Sequence, residues 1–367
     1  MRAPIVQPRS VLSNLESYTA GKPIWEVQRE FGVTEVIKLA SNENPLGASP
    51  LALEAVQAIL PDIHRYPDAS SIALRESIAI AHAMPVGCVA VSNGADEMIK
   101  LISEAYLDIG DEVVTPVPTF TEYEFAAKLM GAKVIHVPLG CNFQYDTEAI
   151  LNAVSLRTKL IYLCSPNNPT GTYISKSNLE KLLRKLPKGI LVVFDAAYSH
   201  YVEETDYTNG LDFVRSGYPI VVVQTFSKVY GLAGIRVGYG LASTEIIDNI
   251  QKVREPFNVN ALAQVAAAAA LQDLNHLERS RRCIVEGRNQ LYRIFDELGF
   301  TYTRSASNFV LICVGDQAPA LYTKLLRQGI IVRQGDLWGL PDHLRITVGS
   351  QEDNEALGVK LIEILSI

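Results

Sequence analysis

Lys228 stands just beyond the apolar run Ile220–Thr225, in the stretch Thr225-Phe226-Ser227-Lys228. A lysine at the carboxyl end of a buried strand is poorly solvated. Its pKa falls, and the free amine can act as nucleophile or base. Thr225 and Ser227 carry hydroxyls, and Arg236 closes the nearby Gly231-Leu232-Ala233-Gly234-Ile235-Arg236. A surface lysine would explain Lys228 alone but not this set, which suits a phosphate. Asp195 ends a second apolar run, Ile190–Phe194, and Tyr198 follows it. A carboxylate there needs a partner, because an unpaired buried charge is costly. It reads equally as a cap on the following turn or as the counter-charge of a cationic ring nitrogen. Ser165-Pro166-Asn167-Asn168-Pro169-Thr170-Gly171 follows a third run, Lys159–Cys164. Its prolines impose extended backbone and a turn, and Asn168 is pinned so that its amide can meet a ligand oxygen. In Ser92-Asn93-Gly94-Ala95-Asp96-Glu97 the backbone amides of Ala95, Asp96 and Glu97 would face an anion at a helix start. Taken alone, a plain helix cap by Asn93 or Asp96 explains that last segment more simply.

One ligand makes all four demands. Pyridoxal 5'-phosphate needs a lysine for its aldehyde, an acid at its pyridine nitrogen, donors at its phenolic oxygen and a cup for its phosphate. Lys228, Asp195, Asn168 with Tyr198, and Gly94 with Ser227 and Arg236 fill these roles in turn.

Such residues work only if a scaffold brings strand ends together. Short apolar runs recur at 88–92, 112–115, 133–137, 159–164, 190–194, 220–225 and 237–241. Most are continuously apolar, as in strands buried on both faces of a mostly parallel sheet covered by helices. Ligands of such sheets bind at the carboxyl ends of the strands. Helices are predicted at 51–60, started by Ser49-Pro50, and at 95–106. Beyond about residue 245 the pattern becomes α+β. Helices are expected at 244–254, 260–271, 277–298, 318–328 and 351–365, and strands at 308–314, 329–333 and 343–349. The expected fold class is α/β: a three-layer α/β/α large domain with a mostly parallel sheet, plus a smaller α+β domain. The boundaries are 1–40 for an N-terminal arm that docks on the small domain, 41–250 for the large domain and 251–367 for the small one.

The 367 residues favour one large and one small domain. Hydrophobic residues make up 48% and charged residues 20%, which excludes disorder as the main state. A net charge of -7 argues against nucleic acid or anionic membranes as partners. The 5 cysteines include no CxxC pair, and the 6 histidines no ligand spacing, so no metal is expected and a reducing cytoplasm fits best. The first ten residues lack the apolar core of a secretory signal, and 261–271 is too short to cross a bilayer. Gly238-Tyr239-Gly240 lacks the rest of a dinucleotide fingerprint.

In order along the chain stand Leu39–Pro45, Arg65-Tyr66-Pro67-Asp68, Gly94–Glu97, Ser165–Gly171, Asp195–Tyr198, Thr225–Lys228 and Leu344–Gly349. This series resembles the fold type I aminotransferases, and within them the histidinol-phosphate aminotransferase family, from about residue 38 to 349. The resemblance implies that Lys228 bonds the cofactor and later carries a proton between substrate Cα and cofactor C4′, and that Asp195 pairs with the ring nitrogen. It implies Tyr198 and Asn168 at the phenolic oxygen and Phe120 on the pyridine face. Ala95, Asp96 and Glu97, Thr225, Ser227 and Arg236 would serve the phosphate. Tyr66 would reach the neighbouring subunit's phosphate, which makes the unit a homodimer. Arg345, helped by Arg333, would clamp the substrate's anionic group, with Asn44 and Leu46 near the substrate. The chain departs from the family's pattern at Leu46, where relatives carry an aromatic, and at Ala196, where they carry an acid. Leu46 keeps open an aromatic-amino-acid aminotransferase. A phosphoamino-acid decarboxylase on the same fold is a further alternative.

Overall fold

The computed structural model describes residues 6–15 and 21–365. Parts of the expected arm, 1–5 and 16–20, and residues 366–367 at the end of the small domain therefore lie outside the described residues. The arm's strand β1, Ile37–Lys38, runs parallel to a strand near the carboxyl end of the chain, Ile330–Ile331.

A 7-stranded sheet follows, built from β2 (Val89–Ser92), β3 (Glu112–Val117), β4 (Lys133–Pro138), β5 (Thr158–Cys164), β6 (Leu191–Asp195), β7 (Ile220–Thr225) and β8 (Gly238–Leu241). Their spatial order is β2-β8-β7-β6-β5-β3-β4. β3 to β7 pair in parallel, and β8 runs antiparallel to both its neighbours. All residues of β2, β6, β7 and β8 are buried, as continuously apolar runs require. The edge strand β4 is the most exposed of the seven, and its Lys133 and His136 face solvent.

The second sheet has 4 strands: β9 (Thr301–Tyr302), β10 (Phe309–Cys313), β12 (Arg333–Gln334) and β13 (His343–Thr347), ordered β12-β13-β10-β9. The strand expected at 329–333 is two pieces. Ile330–Ile331, which is β11, pairs with β1, and after Val332 the chain joins β13 as β12. The chain changes partners because the arm supplies a strand edge that the carboxyl-terminal sequence alone does not reveal. Two caps refine the helices. Ser49 Oγ accepts from Ala52 N at 3.3 Å as its position predicts. Asp273 accepts from His276 N at 3.0 Å, so the long helix begins at Leu274 rather than 277.

Gly231 pins the turn that carries Lys228. Its amide bonds Lys228 O at 3.0 Å, its φ is 69°, and a Cβ there would lie 1.9 Å from Gly47 O and 2.9 Å from Ala48 Cα. Both neighbours are backbone and cannot swing aside. Gly231→Ala is expected to destabilise the fold by about 2–5 kcal/mol, from overpacking plus the left-handed backbone. Urea unfolding checks this, and a loss under about 1 kcal/mol would show that the turn yields.

Candidate active site

The carboxyl ends of β5, β6 and β7 are adjacent, so Cys164, Asp195 and Thr225 meet at one rim. A cavity of about 270 Å³ opens there. The sequence-predicted residues Ala95, Asp96, Phe120, Asn168, Asp195, Tyr198, Thr225, Ser227, Lys228, Arg236, Arg333 and Arg345 all line it.

Each is placed by local structure. The 165–171 loop is tied to the loop after β3, where Thr119 Oγ1 donates to Asn167 Oδ1 at 2.7 Å and Asn167 Nδ2 donates to Pro118 O at 3.0 Å. Arg236 Nη2 bonds Asp96 Oδ2 at 3.2 Å and Nη1 bonds Ala233 O at 3.1 Å. It passes so close to Gly94 that a Cβ there would lie 2.5 Å from Nη2. The guanidinium therefore sits against the start of the helix Ala95–Tyr106, where first-turn amides have no partner within the helix. Hydroxyls, arginine and amides converge as an anion cup. Arg345 is gripped by Asn168 Oδ1 at 2.5 Å and Ala40 O at 2.6 Å, and it lies against the rings of Trp338 and Phe309, with centroids 4.9 and 5.2 Å away.

Asp195 is 4% exposed. It accepts from Tyr123 Oη at 2.6 Å and from Ala197 N at 3.0 Å, both neutral donors, and among the described residues it has no ion pair. Burial raises its pKa to about 6, against the pull of these two bonds. Lys228 Nζ donates to Ser41 O at 3.2 Å and lies 5.8 Å from the centre of the Tyr198 ring. Burial first, then the Arg345 charge, lowers its pKa to about 8. A buried carboxylate with only neutral donors is a seat for a cation. An amine freed near neutrality is ready to add to a carbonyl. In the cofactor-free protein, the rate at which Lys228 captures an aldehyde is expected to rise with pH and level off above about 8. A rate still climbing towards the ordinary lysine value of 10.5 would contradict the lowered pKa. Stopped-flow absorbance measures it.

Four predicted residues lie outside this cavity. Asn44 is expected at the substrate, but its amide donates to Val229 O at 2.8 Å and Ser280 Oγ at 2.9 Å, which braces the chain beyond Lys228. Leu46 lines a separate groove with Arg279, Arg282 and Cys283 and no part of this cavity. The Glu97 carboxylate accepts from Asn93 N at 2.5 Å and Asn258 Nδ2 at 2.8 Å. Tyr66 is 83% exposed and stacked on Phe257 with ring centroids 4.8 Å apart.

Sequence reasoning missed several contributors. Asn42 Nδ2 donates to Tyr198 Oη at 3.0 Å, Tyr123 bonds Asp195, and Leu337 and Trp338 wall the cavity. Asn42 has a φ of 57°, a backbone state that Asn tolerates, but its neighbours show no pattern that singles it out. Folding also brings the donor atoms of Cys313, Asp342 and His343 within 4.8 Å of one another, which their spacing does not show. They bond one another there and line no part of the cavity.

A lysine and a carboxylate at adjacent strand ends, an anion cup and a buried arginine on an α/β sheet define a fold type I enzyme dependent on pyridoxal phosphate. The profile of the family described as "Aminotransferase class I and II" matches residues 34–361. Histidinol-phosphate aminotransferase of Moorella thermoacetica is 45% identical over 365 residues, covering 99% of this chain and 94% of that protein. The Symbiobacterium thermophilum enzyme of the same name is 42% identical over 347 residues, covering 94% of this chain and 95% of its own. The crystal structure of histidinol-phosphate aminotransferase from Sinorhizobium meliloti, in complex with pyridoxal-5'-phosphate, superposes with a TM-score of 0.91 at 25% identity and covers 99% of both chains. The chain belongs to the class I and II aminotransferases and, within them, to the histidinol-phosphate aminotransferase family.

Proposed function

We propose that the protein transfers the amino group of histidinol phosphate to 2-oxoglutarate, giving imidazole-acetol phosphate and glutamate. The observation that carries this reading is the single cavity in which Lys228, Asp195, the anion cup and Arg345 meet. When bound, pyridoxal 5'-phosphate supplies an aldehyde carbon and an electron-accepting ring.

This chain's residues do the rest. Lys228 would hold the aldehyde covalently and, as a free amine, would move a proton at the substrate Cα. Asp195, as an anion, would pair with the protonated ring nitrogen. Asn168 and Tyr198 orient the phenolic oxygen, with Tyr198 itself held by Asn42. Phe120 covers the ring face. The amides of Ala95 and Asp96, with Thr225, Ser227 and Arg236, hold the phosphate. Arg345, with Arg333 beside it on the cavity wall, takes the substrate's anionic end. A planar two-pronged cation can serve the phosphate of one substrate and the carboxylate of the other in turn.

The same reading divides the chain into the arm 1–40, a cofactor-binding domain 41–250 and a small domain 251–367. It makes the working unit a cytoplasmic homodimer. Exposed Tyr66 and its stack on Phe257 support a contact with the partner's cavity. The five cysteines, all free, fit a reducing compartment.

The test compares amino donors with 2-oxoglutarate as acceptor. Histidinol phosphate is expected to exceed phenylalanine in kcat/KM by at least about 100-fold, because phenylalanine offers Arg345 a carboxylate but carries neither the phosphate nor the imidazole of the proposed donor. Equal values would point to an aromatic-amino-acid enzyme, and no transfer from either would reject the proposal.

A further inference from the structure

The loop after β3 and the helix Glu122–Leu129 place two rings three residues apart, Phe120 and Tyr123. Tyr123 is wholly buried. Its ring lies flat on Tyr162, with centroids 4.9 Å apart and an interplanar angle of 12°, and meets Phe120 edge-on at 5.7 Å and 82°. Its hydroxyl donates to Asp195 Oδ2 at 2.6 Å. Tyr162, stacked against it, turns its own hydroxyl away to Ile99 O and Ser103 Oγ. Two neighbouring phenols thus differ in one respect: only Tyr123 touches the carboxylate.

We propose that Tyr123 is a positioning residue that holds Asp195 as an anion aimed at the cofactor's ring nitrogen, so that the proton the two share stays on the ring. The inference rests on the function proposed above and adds a residue to it. A buried carboxylate and a pyridine nitrogen share one proton. Burial favours the neutral arrangement, with the proton on the carboxyl. A phenol donating to the carboxylate favours the charged one. The backbone amide of Ala197, at 3.0 Å, is the other donor to the carboxylate among the described residues. Without Tyr123 the balance therefore tips to the neutral pair. Only a protonated ring draws electrons strongly from the substrate Cα, so the position of this proton bears on the rate. Phe120 and Tyr123 leave one turn of chain, so the contact on the ring face and the contact behind its nitrogen are set by the same rigid piece.

The test uses the parent, Tyr123→Phe and Tyr162→Phe, each loaded with ¹⁵N-labelled pyridoxal phosphate. Tyr123→Phe keeps the ring and its stack and removes one oxygen. Its ring-nitrogen resonance is expected to move towards that of unprotonated pyridine. Its kcat should fall about tenfold or more while KM stays within about twofold. Tyr162→Phe removes an equally buried hydroxyl that does not reach Asp195, and its resonance should match the parent's. An unmoved resonance in Tyr123→Phe would overturn the inference. So would an equal movement in Tyr162→Phe, which would mark a packing effect. A parent that holds no labelled ring would overturn the proposed function itself, and this inference with it.

Discussion

Lys228→Ala is expected to lose covalent attachment of the cofactor and at least about 10⁴-fold in turnover, the larger of the two losses foreseen here. Two roles vanish with one amine: the bond to the aldehyde and the transfer of a proton at Cα. The neighbouring Arg236 and Arg345 cannot replace it, because a guanidinium offers no free amine to an aldehyde. The loss should not come from unfolding. The amine makes one hydrogen bond, to Ser41 O, and stands where burial and Arg345 both oppose its charge. A lysine whose folded pKa is about 8 costs the fold stability in full below that pH, and the cost fades only as the pH rises towards the free-lysine value of 10.5. The cofactor-free alanine variant should therefore melt no lower than the parent at pH 7. Turnover and thermal unfolding measured together check this. A variant that keeps a tenth of the parent's turnover would remove Lys228 from the chemistry.

Asp195→Asn is expected to lower kcat by about 10²–10³-fold while leaving the cofactor covalently attached. Asparagine preserves shape and can still meet Tyr123 and Ala197. It cannot hold a positive ring nitrogen. The carboxylate is buried with only neutral donors around it, so its charge is balanced by what binds in the cavity. Visible absorption separates attachment from turnover in one sample. A loss below about tenfold would return Asp195 to its other reading, a cap on the turn at Ala197, whose amide it does bind at 3.0 Å.

The large sheet was readable in the sequence because its strands are buried on both faces, which leaves unbroken apolar runs. Most carry such runs, and the chemistry sits at or just past the strand ends, as at Asp195, the last residue of β6, and Ser227, two residues beyond β7. The helix Ala95–Tyr106 was readable to the residue from its apolar stripe and from Gly94 before it. Other features depend on pairings between distant segments. The break of the strand at Val332 exists because residues 37–38 lie beside it. Asn44 looked like a substrate residue because it lies in a motif, but its amide finds Val229 and Ser280, far off in the chain. Asn42 lines the cavity and holds Tyr198, and Tyr123 reaches the site through Asp195. Asn42 shares its motif with Asn44, and nothing in that motif says which of the two faces the cavity, while a lone Tyr at the start of a helix has many uses. Trp338 was hidden for the same reason: a short turn after β12 brings it against Arg345.

The most direct measurement is borohydride reduction of the cofactor-loaded protein followed by peptide mass mapping. A stable pyridoxyl-phosphate adduct on Lys228, absent when the cofactor is withheld, is the predicted result. Label on a different lysine, or on none, would contradict the claim that this cavity binds the cofactor through the amine at the end of β7.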